Sequence, residues 1–452
     1  MKIATAHKLK GDHVTFVRGI DTESRKRSWN QVYIATSFTF RWRQTVDTVR
    51  FYSQGNVRPI VGGILASLMP AEFQHETGIT PHIGPLNGSL RGAWKAIRAD
   101  RDLAVLADDI AARGVDSLPP DYGIFDKCDV PYREALDECY ILRASKGCNR
   151  GCDFCGVRIL EPTYVSQIAL SARVSYIARH WKEKANLLLL DDNILLSPQF
   201  DRIIDEIRDL GFAKGARLDG KLRYVDFNQG LDIRLLQKKH LKKLAQIELR
   251  PIRLAFDNVA LQTMCKHKLQ WVLDNGFREI SVYVLYNHTD TPEDLYRRLG
   301  TMCRINASHG SRIYSFPMKY IPCNAMDRKH LGQHWTRRQV RGVQCILNAS
   351  HGIAPTQPDF FRRAFGRSIQ QFLQIIQMPE NYIVYRSKYS ENGHIQKWQE
   401  CYEAMSATDR RIATGLIANG KGTIAYQQSN KKIAAFLRHY ANEYETQESG
   451  TP

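Results

Sequence analysis

Lys146-Gly147-Cys148-Asn149-Arg150-Gly151-Cys152-Asp153-Phe154-Cys155-Gly156 sets three cysteines at the spacing C-x3-C-x2-C. Three thiolates so close in the chain can serve one metal centre, and they leave a fourth position open. Four-iron clusters ordinarily take four cysteines. A site one ligand short keeps an iron free for another molecule, by the logic of an open catalytic zinc position. A structural zinc knuckle needs a fourth Cys or His close by, and the next histidine in the chain is His180. Disulfides are not expected: ten cysteines are scattered over 452 residues, and Met1 to Ala6 lacks the apolar run of a secretory signal. The other seven cysteines, Cys128, Cys139, Cys265, Cys303, Cys323, Cys345 and Cys401, are far apart, and most of them read as buried small apolar residues.

Outward from the cysteines, strand and helix patterns alternate. Residues 140–144 read as a strand entering the loop, and 166–181 as a helix leaving it. The apolar run Asn186-Leu187-Leu188-Leu189-Leu190 ends at Asp191-Asp192-Asn193, as a buried parallel strand does. Phe200, Ile203, Ile204 and Ile207 recur at helical spacing up to Gly211. Further strands are expected at 222–227, ending in Asn228-Gln229-Gly230, at 251–256, ending at Asp257, at 279–286 and at 312–320. Thr291-Pro292-Glu293-Asp294 carries the cap, the proline and the acids of a helix start. Six such βα units predict a parallel sheet that can roll into a partial barrel. Function in such barrels sits at the C-terminal strand ends. Here those ends bear Asp191, Asp192, Asn193, Asn228, Gln229, Asp232, Arg234, Asp257, Asn287 and Lys319.

The cysteine spacing, the aromatic Phe154 before the third cysteine and the six βα units together resemble the radical S-adenosylmethionine superfamily, over residues 137–322. The resemblance implies a [4Fe-4S] cluster on Cys148, Cys152 and Cys155, whose fourth iron binds the amino and carboxylate groups of S-adenosylmethionine. It places Phe154 against the adenine, and Asp192, Asn193, Gln229 and Asp257 around the rest of the cofactor. Asp191-Asp192-Asn193 stands where the family has a Gly-Gly-Glu-like segment. An electron donor such as flavodoxin or ferredoxin and a reducing cytoplasm are implied with it.

Residues 32–37 and 57–61 read as strands, with a helix over 41–52 between them, and Met1 to Ala6 as a first strand. The second strand opens into Gly62-Gly63, and glycines there let a ligand or another backbone approach. In order and spacing residues 1–90 resemble the Rossmann-like cobalamin-binding domain that precedes many such barrels. Asp12 and His13 are adjacent, so the Asp-x-His-x-x-Gly motif that supplies a cobalt-ligating histidine is absent. Cobalamin, and with it methylation of an unactivated carbon, is left open.

The expected architecture is α/β: a Rossmann-like domain with linker at 1–125, a partial (β/α)6 barrel at 126–325, and a helical cap at 326–452. A formal charge of +18 suits a polyanionic partner, so the substrate is a nucleic acid or an anionic metabolite. The competing function is a nucleic-acid-binding protein with a structural metal in the cysteine loop. Trp335, Phe360, Phe361, Arg362, Arg363, Phe365, Arg367, Tyr382, Tyr385 and Arg386 interleave aromatic and basic residues. That mixture suits base stacking, but a helical region whose aromatics pack inward accounts for it better. No apolar run reaches the length of a membrane span. Residues 449–452 read as a frayed tail.

Overall fold

The computed structural model describes residues 1–86, 88, 90–126, 128, 130–418 and 430–441; the tail at 449–452 lies outside them. The chain forms two compact units. The first comprises Met1–Leu254, Gln270–Phe277 and Ile321–His330, the second Ala255–Leu269, Arg278–Tyr320 and Leu331–Pro452. Helices and parallel strands alternate through the middle of the chain. Among the described residues no helix is long and apolar enough to cross a membrane.

The first unit opens with a helix, Lys2–Lys8, where a strand was expected. Its two alanines favour helix, and Ala6 with Ile3 joins a cluster of Leu90, Ala93, Ile97, Leu103 and Leu106. Next come β1 (Tyr33–Thr36) and β2 (Ile60–Gly63), paired in parallel, with the helix Trp42–Ser53 between them. Trp42, Val46 and Val49 on that helix pack with Val61, Leu65 and Phe73. These two strands form the only sheet described in the N-terminal region, and helices follow as far as Glu138.

The cysteine loop leaves a parallel sheet of β3 (Cys139–Leu142), β4 (Asn186–Leu189) and a third strand whose expected span is interrupted. The chain first makes a small hairpin, β5 (Arg217–Leu218) with β6 (Lys221–Leu222), and then β7 (Val225–Phe227), which pairs with β4. Arg223 sits at the break. Its side chain is buried and donates to the carbonyls of Lys184 at 3.0 Å and Ala185 at 3.1 Å, while pairing with Glu183 at 2.9 Å. The helix Phe200–Ile207 buries Phe200, Ile203, Ile204 and Ile207, the positions its spacing predicts. Bridges Val225↔Leu249 and Leu231↔Leu254 continue the parallel arrangement toward β8 (Ile252–Ala255).

In the second unit the Phe256 amide donates to Tyr283 at 2.9 Å. Tyr283 lies in β9 (Glu279–Tyr286), which runs parallel to β10 (Arg312–Lys319) over eight residue pairs. The helix Pro292–His309 joins them, starting from the expected Thr291 cap and Pro292, and Asp294 completes a capping box with Thr291. After β10 the described residues of this unit form helices, from Arg337–Ala349 to Lys431–Leu437. Phe361, Phe365, Phe372, Trp398, Phe436 and Tyr440 are buried there, so most of the aromatics are core, while Phe360 and Tyr385 are exposed.

Candidate metal centre

The cysteine loop is tied down before its first cysteine. Asp191, at the end of β4, is fully buried and accepts from Ala144 N at 3.1 Å, from Ser145 Oγ at 2.7 Å and from Ser145 N. Burial pushes its carboxyl up to about 6, against the pull of those donors. Asp192 accepts from Gly147 N at 2.9 Å and lies 3.7 Å from Arg143, which also pairs with Glu161. Lys146 is buried in an ion pair with Asp116. An antiparallel bridge between Lys146 and Val165, with bonds of 3.1 and 2.9 Å, closes the loop on itself. Gly147 has φ +78°, and a Cβ there would stand 2.9 Å from Thr163 O and 3.1 Å from Glu161 O.

Between these anchors lie the three thiols, none of them in a disulfide. Cys148 and Cys152 are half-buried and Cys155 is exposed. Nitrogen donors surround the sulfurs: Arg150 N lies 3.4 Å and Asn193 Nδ2 3.6 Å from Cys148 Sγ, and the Arg234 guanidinium 3.6 Å from Cys152 Sγ. Burial raises the Cys155 thiol, and the neighbouring Cys152, Cys148 and Cys323 raise it further. Arg234 is held by a bidentate pair with Asp232 at 2.7 and 2.8 Å, and Arg150 approaches the same carboxylate at 3.7 Å. Burial alone would raise Asp232, but Arg234 outweighs it and holds the carboxyl below its ordinary range. An open pocket of about 320 Å³ is lined by Asn149, Arg150, Gly151, Cys152 and Arg234. That volume falls at the small end of the ~300–1,000 Å³ found for small-molecule sites.

Asn193 is 3% exposed. Its Nδ2 serves Cys148 and reaches Asp232 at 3.5 Å, while its Oδ1 is buried without a hydrogen-bond partner. An unsatisfied buried acceptor costs about 1–3 kcal/mol, so this one marks a place for a ligand's donor.

No family model matches the chain, and no curated protein matches it. Among solved structures it is similar to the crystal structure of HydG, a maturase of the [FeFe]-hydrogenase. The TM-score is 0.36 at 12% identity, over 80% of this chain and 96% of that one. A likeness this distant transfers no residue role, and the site stands on its own geometry.

The chemistry of the donor set fits an iron-sulfur cluster. The donors are free thiols, and N–H groups aimed at sulfur are the contacts that tune such clusters. Among the described residues no three His, Cys, Asp or Glu side chains close on a single ion; thiolates that each take a separate iron need no such convergence.

The expected cofactor residues divide. Asn193 reaches a cysteine, and Asp192 holds the loop backbone rather than facing a ligand. Phe154 is half-buried on the loop, and its carbonyl lies 3.7 Å from Cys323 Sγ. Gln229 is exposed. Asp257 belongs to the second unit, where its carboxylate accepts from Leu285 N at 3.0 Å and its carbonyl from the buried Arg298 at 2.9 Å. Gly62 and Gly63 end β2, and Gly63 has its own explanation: a Cβ would stand 2.5 Å from Thr36 O and 2.8 Å from Thr36 N. Asp12 bonds His7 at 2.6 Å, and His13 is exposed. Cys323, one of seven cysteines of which most were read as buried, is half-buried and lies against the cysteine loop; only its place just after the last strand could have signalled this.

Proposed function

We propose that the chain is a radical S-adenosylmethionine enzyme whose cluster is held by Cys148, Cys152 and Cys155. Bound there, a reduced [4Fe-4S] cluster delivers one electron to the sulfonium of S-adenosylmethionine, giving methionine and a 5′-deoxyadenosyl radical that abstracts hydrogen from an unactivated carbon. The observation that carries this reading is Asn193, with its nitrogen on a cluster thiol and its buried oxygen waiting for a donor. The amino group of S-adenosylmethionine is such a donor. Arg150 and Arg234 line the adjoining pocket with positive charge suited to a carboxylate. Asp191 and Asp192 fix the loop's root, so that the sulfurs keep their positions through the redox step. Phe154 offers an aromatic face to the adenine.

The charge of +18 favours an anionic substrate, a nucleic acid or an anionic metabolite. The electron comes from a flavodoxin or ferredoxin, and an oxygen-sensitive cluster suits a reducing compartment. Nothing in this reading requires cobalamin: Gly63 is accounted for by its approach to Thr36, and Asp12 by His7.

Anaerobic reconstitution tests the proposal. About four irons per chain are expected, with a cluster spectrum that changes on adding S-adenosylmethionine and with 5′-deoxyadenosine formed after dithionite. A single zinc with no iron would instead make the loop the structural metal site of a nucleic-acid-binding protein.

A further inference from the structure

The chain visits the first unit for ten residues late in its course. Tyr320 and Leu331 belong to the second unit, but Ile321–His330 belongs to the first. This segment is fastened there. The Arg328 guanidinium lies 4.7 Å from the centre of the Phe40 ring, and turns are closed by Ala325 N to Pro322 O at 3.0 Å and Lys329 N to Asp327 Oδ1 at 2.8 Å. What the segment brings is Cys323. Its Sγ is 3.7 Å from Phe154 O, and it stands 3.4 Å from where a Cβ on Gly156 would be. It therefore lies beside the loop on both sides of Cys155, against the Phe154 carbonyl and in the space that Gly156 leaves open. Gly156 leaves it room, since a side chain there would also meet Leu68 at 3.1 Å. The three loop thiols thus have a fourth in their neighbourhood, joined to them by the fold across 168 positions of chain.

We propose that Cys323 is a fourth thiol ligand for the cluster, taking the open iron when no small molecule occupies it. This rests on the cluster assignment above. The exchange is redox-neutral: the Cys323 S–H proton passes to water, an iron–sulfur bond forms, and the leaving ligand is a water or the amino and carboxylate groups of S-adenosylmethionine. The reverse exchange admits the cofactor. A cluster with four thiolates keeps its fourth iron, whereas one with three and a water is prone to lose it.

The test uses the full chain, reconstituted anaerobically as wild type, Cys323→Ser, Cys323→Ala and, as a control, Cys401→Ser. Iron and sulfide are measured, and electron paramagnetic resonance follows three-iron cluster formation during mild ferricyanide oxidation without S-adenosylmethionine. Both Cys323 variants are expected to lose the fourth iron about tenfold faster than wild type and control. Added S-adenosylmethionine should return them to the wild-type rate, because it fills the same position. Equal loss in wild type and both variants would overturn the proposal and leave the three-cysteine cluster intact. Faster loss that S-adenosylmethionine does not correct would also overturn it, since Cys323 would then only pack against the loop. Wild type that binds no iron would remove the cluster assignment itself. Matching circular dichroism melts separate these outcomes from misfolding.

Discussion

Gly147 and Gly151 stand four residues apart in the cysteine loop, and the structure separates them sharply. Gly147 has φ +78°, where a Cβ costs about 1–2 kcal/mol. The added methyl would also lie 2.9 Å from Thr163 O and 3.1 Å from Glu161 O. Both are backbone atoms that no rotamer change can withdraw, so overpacking adds about 1–3 kcal/mol. Gly147→Ala should therefore destabilise the first unit by about 2–5 kcal/mol in all, or about 5–10 °C in melting temperature. Relaxing that strain would pull Gly147 N from Asp192 and shift Cys148, so iron binding should fall with stability. At Gly151 a Cβ meets only the end of the Arg158 side chain, at 3.4 Å, and φ is not positive. Gly151→Ala should stay within about 0.5 kcal/mol of wild type and bind iron normally. Calorimetry of the metal-free proteins reads the stability term, and iron titration reads the loop geometry. Equal melting of the two variants would refute the account of how the loop is held.

Cys152→Ala should abolish the cluster absorbance, while Cys265→Ala, in the other unit, should leave iron content unchanged on reconstitution. Asn193→Ala should keep iron but weaken the S-adenosylmethionine-induced spectral change, raising its apparent Kd about tenfold, as expected for one lost hydrogen bond; Gln229→Ala serves as the unaffected comparison, and equal titrations would remove Asn193 from the pocket. Burial alone would raise Asp116, but Lys2 and Lys146 lower it from 3.8 to about 2. A depressed carboxyl stabilises the fold above its unfolded pKa, and the effect is lost as pH falls through about 2. The contribution is about 2 kcal/mol, so Asp116→Asn should lower stability at pH 7 by that amount and flatten the acid limb below pH 4, as read by denaturant midpoints. Asp191, raised to about 6, has the opposite sign: its folded state binds the extra proton, so its contribution rises as pH drops from 7 toward 4, and Asp191→Asn should remove that rise.

Much of the fold was legible because buried parallel strands leave continuous apolar runs and amphipathic helices leave a period. Residues 186–190 and the row Phe200, Ile203, Ile204 and Ile207 needed no tertiary knowledge to place. Met1 to Ala6 was misread because a short run of small apolar residues carries neither period, and its partners Ile97 and Leu103 lie far along the chain. The strand at 222–227 was drawn too long because Arg223 looks like a solvent residue; its burial is explained by the carbonyls of Lys184 and Ala185, the Glu183 carboxylate and the Phe212 ring. The three cysteines are singled out by their spacing alone. Cys323 offered only its place just after the last strand, which does not distinguish a thiol that returns to a loop from one that fills a core.

The doublet and amide after β4 show why a strand end can be located from sequence while its roles cannot be assigned. Asp192 and Asn193 were read as facing the cofactor, with Asp191 beside them at the same strand end. In a strand, successive side chains point to opposite faces, and the chain begins to turn here, so the three diverge. Asp191 points back into the buried root of the loop and takes its donors from Ala144 and Ser145. Asp192 turns outward to Gly147. Asn193 alone reaches a sulfur and keeps an unpartnered oxygen. Two carboxylates are thus spent on holding the loop, and an uncharged amide meets the thiols. That division is chemically reasonable: a third anion beside three thiolates would oppose assembly of an anionic cluster, whereas an amide can donate to sulfur and accept from a ligand at once.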